Sequence, residues 1–224
     1  MNGTEPTDNS RLLRLDTCAV SDALDKLKIA GTVTGLLPLT TAKKIAGRVI
    51  TVKLVAAHQD DDRSRPITHL GAKAIEVAWR GDIIVVEQRT GVVAGSWGGI
   101  LSIGAKMRGV AGVIADGLVR DIDEARGIDF PIYGRGATAL TARGRVVERE
   151  TGGAVQVGNV RVRSGDFVIA DSTGVVFVPA DHLHKVLDTA EHIAAREFAM
   201  SKALLSGERI TAVMGADYER MLQS

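Results

Sequence analysis

Residues 98–124 combine four features in direct succession: a Gly-Gly turn, a helical segment, an apolar strand over residues 110–115 and a dense charged cluster. A buried strand that leads directly into charged side chains is how α/β proteins build sites, because the sheet holds the polar groups rigidly at its carboxyl edge. The members of the cluster are Asp116, Arg120, Asp121, Asp123 and Glu124. One guanidinium among several carboxylates suits a divalent cation bound together with an anionic substrate.

The rest of the chain alternates predicted helices and strands in the manner of a layered α/β domain. Apolar spacing predicts helices over Thr17–Leu27, 69–79 and 181–205, and a loop over 31–38. Strands are predicted over 45–57, 83–87, 131–133, 155–157, 160–162, 167–170 and 175–178, with a Gly158-Asn159 hairpin turn. We predict a disordered tail over residues 1–9 and a single domain over residues 10–224, which includes the long C-terminal helix.

Composition excludes several classes of protein. The 224 residues carry a net charge of only +1, so no electrostatic field draws the chain to nucleic acid or to membranes. Cys18 is the only cysteine, which excludes an internal disulfide framework and a cysteine-rich zinc site. The sequence has no signal-peptide pattern and no apolar run long enough to span a bilayer, and we therefore predict a cytoplasmic protein.

Two parts of the stretch 98–124 are candidates for binding. If a helix starts at Val119, Asp121 and Glu124 share its face and can hold Mg²⁺ or Mn²⁺ beside Arg120. The alternative is a solvated helix start, where acidic residues are favoured. The amides that follow Gly98-Gly99 form a possible anion site at a helix N-terminus, although a plain turn explains the pair equally well.

Other candidates are weaker. Lys106 could form a Schiff base, but its neighbours favour a solvent-facing helical position. Residues 58–62, HQDDD, could hold a metal, but a solvated loop explains three successive aspartates better. His182 and His184 are two residues apart on a predicted helix, so they face different directions and are not expected to share a metal.

Residues 98–121, GGILSIGAKMRGVAGVIADGLVRD, resemble the family typified by the regulator of ribonuclease activity A. That family also contains the class II 4-hydroxy-4-methyl-2-oxoglutarate and 4-carboxy-4-hydroxy-2-oxoadipate aldolases. The resemblance extends to VSDALD (20–25), IAGRVITVK (45–53), ADSTGVVFVP (170–179) and the final helix, and so covers about residues 12–206. The aldolases share a Gly or Asp, twenty further residues, Arg-Asp, and an acidic residue three places after the Asp. Gly99, residues 100–119, Arg120-Asp121 and Glu124 match that pattern.

The resemblance implies a swivelling β/β/α fold and assigns roles to the motif. Asp121 would bind Mg²⁺, Mn²⁺ or another divalent cation, and Glu124 would support the metal directly or through water. Arg120 would stabilise the keto oxygen of the substrate or the developing enolate. Asp116 has no role in the motif. Residues at the turn and the helix start would hold the carboxylate of a 2-oxo acid: Gly98, Gly99, Ile100 and Leu101.

The resemblance also implies an assembly and a reaction. Family members form trimers or dimers of trimers, so we expect a homotrimer or homohexamer with its sites between subunits. Glu197, in AAREFAMSKALLSG, resembles a catalytic acidic residue that the last helix of the neighbouring subunit contributes. The expected reaction is that of a class II pyruvate aldolase, which cleaves a 4-hydroxy-2-oxo acid to pyruvate and a second oxo acid. Oxaloacetate decarboxylation requires the same enolate and is the expected side activity.

Two alternatives remain open. The chain could be a non-catalytic regulator that binds a ribonuclease or another protein partner, or it could be a lyase or decarboxylase that acts on a different oxo acid. The complete motif, including Glu124, favours the enzyme.

Overall fold

A computed structural model describes residues 7–60 and 69–215. Its α-helices are α1 Asp8–Arg14, α2 Thr17–Leu27, α3 Ala72–Val77, α4 Gly99–Arg108, α5 Ile122–Gly127, α6 Leu183–Leu205 and α7 Ile210–Val213. Its strands are β1 Thr32–Val33, β2 Leu37–Pro38, β3 Ile45–Ala56, β4 Ile83–Glu87, β5 Gly112–Val119, β6 Ile132–Ala137, β7 Val146–Thr151, β8 Ala154–Val157, β9 Val160–Arg163, β10 Phe167–Ala170 and β11 Val175–Val178. None of the helices in the described ranges is long and apolar enough to cross a membrane.

A curled mixed sheet is the centre of the fold. Among the described residues it has nine strands, with the order β1-β11-β10-β3-β4-β5-β6-β2, and β7 pairs with β3 outside this path. The neighbours β3, β4, β5 and β6 are parallel. The other pairs of this sheet are antiparallel, and β8 and β9 form a separate hairpin. The carboxyl ends of β4 and β5 therefore meet at one edge, which is where an α/β sheet presents its site.

Three apolar cores lie around this sheet, and together they produce a mixed α/β fold with the layers expected from the sequence. The first core lies under α3, α4 and α5 and includes Trp97 and Leu101. The second lies between the sheet and the β8–β9 hairpin, and the third between the sheet and α1, α2 and α6. Strand β3 joins them, because Val52 belongs to the first, Val49 to the second and Ala46 to the third.

Most of the longer predicted elements are confirmed. The helix Thr17–Leu27 has the predicted bounds, and the long helix α6 begins two residues after the predicted start because Ala180–His182 form a 3-10 turn. The predicted hairpin at Gly158-Asn159 is also confirmed, since Val157 pairs with Val160. Gly158 has a φ of 57°, the left-handed conformation that such a turn requires.

Four predictions differ from the structure. Residues 31–38 contain the two short strands β1 and β2, which pair with β11 and β6. The helix predicted over 69–79 is limited to Ala72–Val77, because Gly71 is left-handed and Ala78 is extended. Strand β5 runs to Val119, so Asp116 lies inside the strand and the next helix begins only at Ile122. Helix α1 begins at Asp8, inside the predicted disordered tail, while residues 1–6 lie outside the described part.

Asp171 connects the end of β10 to the start of α2. Its carboxylate accepts hydrogen bonds from Thr17 N at 3.0 Å and Thr17 Oγ1 at 2.7 Å, and from Thr173 N at 2.8 Å. Partial burial raises the pKa of the Asp171 carboxyl, but the hydrogen bonds from Thr17, Thr173 and Gly174 lower it more, and the net pKa is below its ordinary value.

Asp171→Asn is therefore expected to lower the free energy of unfolding by about 1–2 kcal/mol at neutral pH. Because the folded pKa of Asp171 is lowered, its stabilising effect is complete above the pKa of the unfolded chain, about 4, and is lost as pH falls through the lower folded value. Urea unfolding of both proteins at about pH 7 and about pH 3 tests this. The difference between them should shrink at the lower pH; an equal difference at both values would contradict the assignment.

Candidate active site

The candidate site forms where β5 ends and the loop before α4 runs alongside it. Gly95 forms a parallel bridge with Leu118, and Ser96 N donates to Leu118 O at 2.7 Å. Arg120 N then donates to Trp97 O at 3.0 Å. The loop thus continues the parallel sheet by a few residues and brings the first turn of α4 beside the residues that follow β5.

Asp121 directs its carboxylate toward the start of α4. It occupies the N-cap position of α5 in the left-handed conformation, with φ 56° and ψ 38°, which Asp and Asn tolerate better than most residues. Its side chain does not cap its own helix. Instead Oδ2 accepts from Gly99 N at 3.0 Å and Oδ1 accepts from Arg120 Nε at 3.2 Å. Asp121 therefore links the two predicted parts of the site directly.

Glu124 and Asp121 both lie against the Gly98-Gly99 backbone. A side chain at Gly99 would collide with the Glu124 carboxylate and would approach Asp121 Cβ to 3.2 Å. A side chain at Gly98 would come within 2.9 Å of Asp121 Oδ2. The sequence predicted that Asp121 and Glu124 share a helix face. In the structure the two carboxylates are close to each other because both contact the Gly98-Gly99 backbone.

Arg120 is held along its aliphatic stem by the same loop. A side chain at Gly95 would come within 3.0 Å of Arg120 Cγ, and one at Gly98 within 3.3 Å. The side chain of Arg120 is 37% exposed and Nε is paired with Asp121. Within the described part of the chain its Nη groups donate to no protein acceptor, so they remain free to bind a ligand anion.

The first turn of α4 provides main-chain donors. The first four N–H groups of a helix have no acceptor within it. Of these, Gly99 N donates to Asp121, whereas Ser102 N makes the first bond within the helix, to Gly98 O at 3.0 Å. Among residues 7–60 and 69–215, the N–H groups of Ile100 and Leu101 have no protein acceptor, and they lie at the positive end of a ten-residue helix.

These groups surround one open cavity of about 220 Å³. Its lining comes from the loop and first turn of α4, from the end of β5 and from two further segments: His69, Leu70, Gly95, Trp97, Gly98, Gly99, Ile100, Leu101, Arg120, Asp121, Thr141, Ala142 and Arg143. Glu124 contacts Gly99 but does not line the cavity. The arrangement places a carboxylate, a guanidinium and free amides around a space for a small anion.

The family model described as RraA-like, Aldolase/RraA, matches residues 17–177, which include all of the motif around this cavity. The chain belongs to the RraA-like family. It is 25% identical over 207 residues to protein DlpA of Legionella pneumophila, covering 92% of the chain but only 33% of that longer protein. A Halalkalibacterium halodurans protein, provisionally named a 4-hydroxy-4-methyl-2-oxoglutarate aldolase, is 29% identical over 193 residues, which are 85% of each chain.

The fold is also that of solved RraA structures. Streptomyces coelicolor RraAS2, described as an unusual member of the RNase ES inhibitor RraA protein family, superposes with a TM-score of 0.75 at 25% identity. The match covers 89% of this chain and 98% of RraAS2. The mixed α/β architecture is therefore that of the RraA-like family, which includes proteins named as enzymes and proteins named as inhibitors.

The two carboxylates of this RraA-like site fit a hard divalent cation better than zinc. Among residues 7–60 and 69–215, no group of three or more His, Cys, Asp or Glu side chains is arranged to hold a metal ion, so a structural zinc site does not match that part of the chain. Mg²⁺ binds through one or two carboxylates and keeps several water ligands. Asp121 at the cavity with Glu124 beside it forms such a donor set.

Glu197 does not reach this cavity within its own chain. It lies on α6 beside α2, where burial raises the pKa of its carboxyl and the neighbouring Asp22 and Asp16 carboxylates raise it further. It is not among the residues that line the cavity. The predicted role of Glu197 therefore requires a second subunit.

Lys106 and Asp116, two other candidates from the sequence, make hydrogen bonds that stabilise the fold. Lys106 donates to the main-chain oxygen of Ile128 and does not line the cavity. Asp116 accepts from Arg135 Nε at 2.7 Å and from Gly158 N at 2.7 Å, so it holds the β8–β9 hairpin on the sheet.

The histidine and aspartate candidates are also dispersed. His182 lies 4.0 Å from Asp181, whereas His184 lies 3.6 Å from Asp8. In the segment 58–62, Asp60 pairs with Arg149 at 3.7 Å, and residues 61 and 62 lie outside the described residues.

Sequence reasoning missed the residues that complete the cavity wall. His69 and Thr141–Arg143 are distant from the motif in sequence and carry no recognisable spacing. The segment that contains Thr141 is brought to the site by tertiary pairing, since Gly95 N donates to Leu140 O at 2.9 Å. Trp97 was missed as well, because an apolar residue before a glycine pair gives no functional signal.

Proposed function

We propose that this protein is a divalent-metal-dependent lyase, a class II aldolase that cleaves a 4-hydroxy-2-oxo acid to pyruvate and a second oxo acid. The observation that carries the proposal is the convergence of Asp121, Arg120 and the free amides of α4 on one cavity, with Glu124 beside it. The provisional name of the Halalkalibacterium relative supports the same reaction class. Oxaloacetate decarboxylation is the proposed side activity, because it also passes through the pyruvate enolate.

The cavity has donors for both ends of the pyruvate half of the substrate. The N–H groups of Ile100 and Leu101 would bind its carboxylate, as helix N-termini bind anions. The guanidinium of Arg120 would donate to the keto oxygen. Since Gly95 and Asp121 hold Arg120 before substrate arrives, its charge is in place when the reaction begins.

Asp121 would hold Mg²⁺ or Mn²⁺ directly, and Glu124 would support it, directly or through water. When bound, such an ion would act as a Lewis acid and stabilise negative charge on the substrate. Asp121 is already oriented for this by the bonds from Gly99 N and Arg120 Nε.

The bond changes follow from the chemistry of 4-hydroxy-2-oxo acids. A base takes the proton of the C4 hydroxyl, the C4–O bond becomes a carbonyl, and the C3–C4 bond breaks with its electrons going to C3 and the keto oxygen. Arg120 stabilises the negative charge that develops on that oxygen. A proton returned to C3 gives pyruvate. Glu197 of a neighbouring subunit is the proposed proton carrier, since its raised pKa brings it closer to the range suited to proton transfer.

We also propose that a second copy of the chain packs beside the cavity, in a trimer or hexamer. Ile100, Ile103 and Met107 form an apolar stripe along α4 and are 85%, 47% and 83% exposed. The stripe begins at the cavity, since Ile100 lines it. Covering it would exclude water from one side of the site and would allow Glu197 to enter from the neighbour.

Met107→Glu is expected to convert the oligomer to monomers, because it buries a charge in the proposed contact. Size-exclusion chromatography with light scattering measures the change directly. Leu13→Glu, which makes the same change of charge at an exposed apolar residue of another helix, is the control. A wild-type protein that is monomeric at micromolar concentration would contradict the assembly.

The proposed reaction is tested by pyruvate release, coupled to lactate dehydrogenase, from oxaloacetate and from several 4-hydroxy-2-oxo acids. Release is expected with Mg²⁺ or Mn²⁺ and is expected to stop in excess chelator. Full turnover in excess chelator would refute the metal role. No release from any of these acids would favour the alternative, a non-catalytic regulator, which the likeness to RraAS2 supports.

A further inference from the structure

Trp97 lies between the two halves of the cavity and is hydrogen-bonded to both. It is buried, with only 1% of its surface exposed. Its main-chain oxygen accepts from Arg120 N at 3.0 Å, and its indole Nε1 donates to Ser102 Oγ at 3.1 Å. One residue thus connects the strand end that carries the guanidinium to the helix that carries the free amides.

The direction of the hydrogen bonds at Ser102 is fixed by chemistry. An indole N–H can only donate, so the Ser102 hydroxyl must accept from Trp97 and use its single proton elsewhere. That proton goes to Gly98 O, at 2.9 Å. Since a peptide is planar and trans, a carbonyl of Gly98 held toward Ser102 turns the N–H of Gly99 to the opposite side, where Asp121 accepts it at 3.0 Å.

The indole is also fixed by packing. A side chain at Gly71 would come within 2.8 Å of Trp97 Cζ3, so the ring edge rests directly on that backbone. Gly71 has a φ of 78° and its N–H is bound to Glu148 Oε2 at 2.6 Å, which keeps it in place. The ring therefore cannot turn without displacing the start of α3.

We propose that Trp97 is a positioning residue: through Ser102 and Arg120 it sets the relative placement of the two halves of the site. That placement in turn sets the affinity of the site for a planar 2-oxo acid anion. This inference rests on the proposed function, because it concerns the same cavity. Trp97 acts through the orientation of the Gly98-Gly99 peptide and of Arg120, and not through the reacting atoms.

The probe is oxalate, a planar dianion with the shape of enolpyruvate, titrated calorimetrically into the full-length protein with Mn²⁺. Ser102→Ala removes the hydroxyl and Trp97→Phe removes the indole donor, and each is expected to weaken oxalate binding about tenfold. Ser102→Ala removes both bonds of the connection and Trp97→Phe removes the first of them, so the double variant is expected to lose no more than Ser102→Ala alone. Trp79→Phe, the same substitution at a tryptophan that is 74% exposed, is the matched control and should leave binding unchanged.

Binding is measured well below the unfolding temperature of every variant, so a purely structural role would lower that temperature and leave oxalate affinity unchanged. Unchanged affinity in Ser102→Ala and Trp97→Phe overturns the inference. Losses that multiply in the double variant overturn the connection through Ser102. If the wild type binds oxalate but releases no pyruvate, the proposed function fails. The oxalate affinities of the variants then still decide whether Trp97 positions the site. If the wild type binds no oxalate with Mn²⁺, both fail.

Discussion

Asp121→Asn is expected to lower metal-dependent pyruvate release by roughly 10³-fold while leaving the fold intact. Asn tolerates the left-handed conformation of residue 121, and its amide oxygen can still accept from Gly99 N, so the local structure is retained. What is lost is the negative charge at the cavity and the acceptor for Arg120 Nε, because the amide nitrogen that replaces Oδ1 only donates. Steady-state pyruvate release and Mn²⁺ binding, measured by calorimetry, should therefore fall together while the unfolding temperature changes little.

Asp121→Ala is expected to lose the same activity and also to lose stability. Alanine has no acceptor for Gly99 N, and it occupies the left-handed region at a cost of about 1–2 kcal/mol. Asp123→Ala is the matched control: it removes a carboxylate two residues away that is 94% exposed and that, among the described residues, pairs with Arg126 of its own helix alone. Full activity in Asp121→Asn, or an equal loss in Asp123→Ala, would contradict the role of Asp121.

The proximity of the motif residues could be predicted from the sequence because they lie on successive elements. Gly99 begins α4, Arg120 follows β5, and Asp121 and Glu124 lie at the N-cap and in the first turn of α5. The way in which Asp121 and Arg120 reach the cavity could not be predicted. Asp121 reaches the site from a left-handed N-cap position, and the loop at Gly95 must pair with the end of β5 before Arg120 is held.

The errors in the predicted strands have related causes. Strand β1 has only two residues and exists because β11 provides a partner, so residues 31–38 carry no strand pattern of their own. The end of β5 was placed too early because the charge of Asp116 resembles the start of a loop. Inside the folded chain that charge is neutralised by Arg135, a residue of the neighbouring strand, and the pairing register shifts between Ala115 and Leu118. Contacts that form only in the tertiary structure leave no pattern in the local sequence.

Gly99→Ala is expected to reduce pyruvate release about 100-fold although alanine suits a helix. The added methyl collides with the carboxylate of Glu124 and presses on Asp121 Cβ. The Glu124 side chain is flexible and can swing away, so the fold survives, and the higher helix propensity of alanine offsets about 1 kcal/mol of the strain. The substitution therefore lowers activity and not stability, because a displacement of about 1 Å in a catalytic group is sufficient for a roughly 100-fold loss of rate.

Two further variants separate this collision from a general effect of replacing glycine. Gly127→Ala is the control, because in the described part of the chain the added methyl meets no atom within 4 Å outside its own helix and chain neighbours, and its φ is not left-handed. Glu124→Asp shortens the other side of the contact and withdraws its carboxylate by one methylene. Introduced into Gly99→Ala, it is expected to recover part of the Mn²⁺ affinity, whereas in the wild type it should only weaken binding. A double variant that binds Mn²⁺ more weakly than Gly99→Ala alone would show that Glu124 does not act through its contact with Gly99.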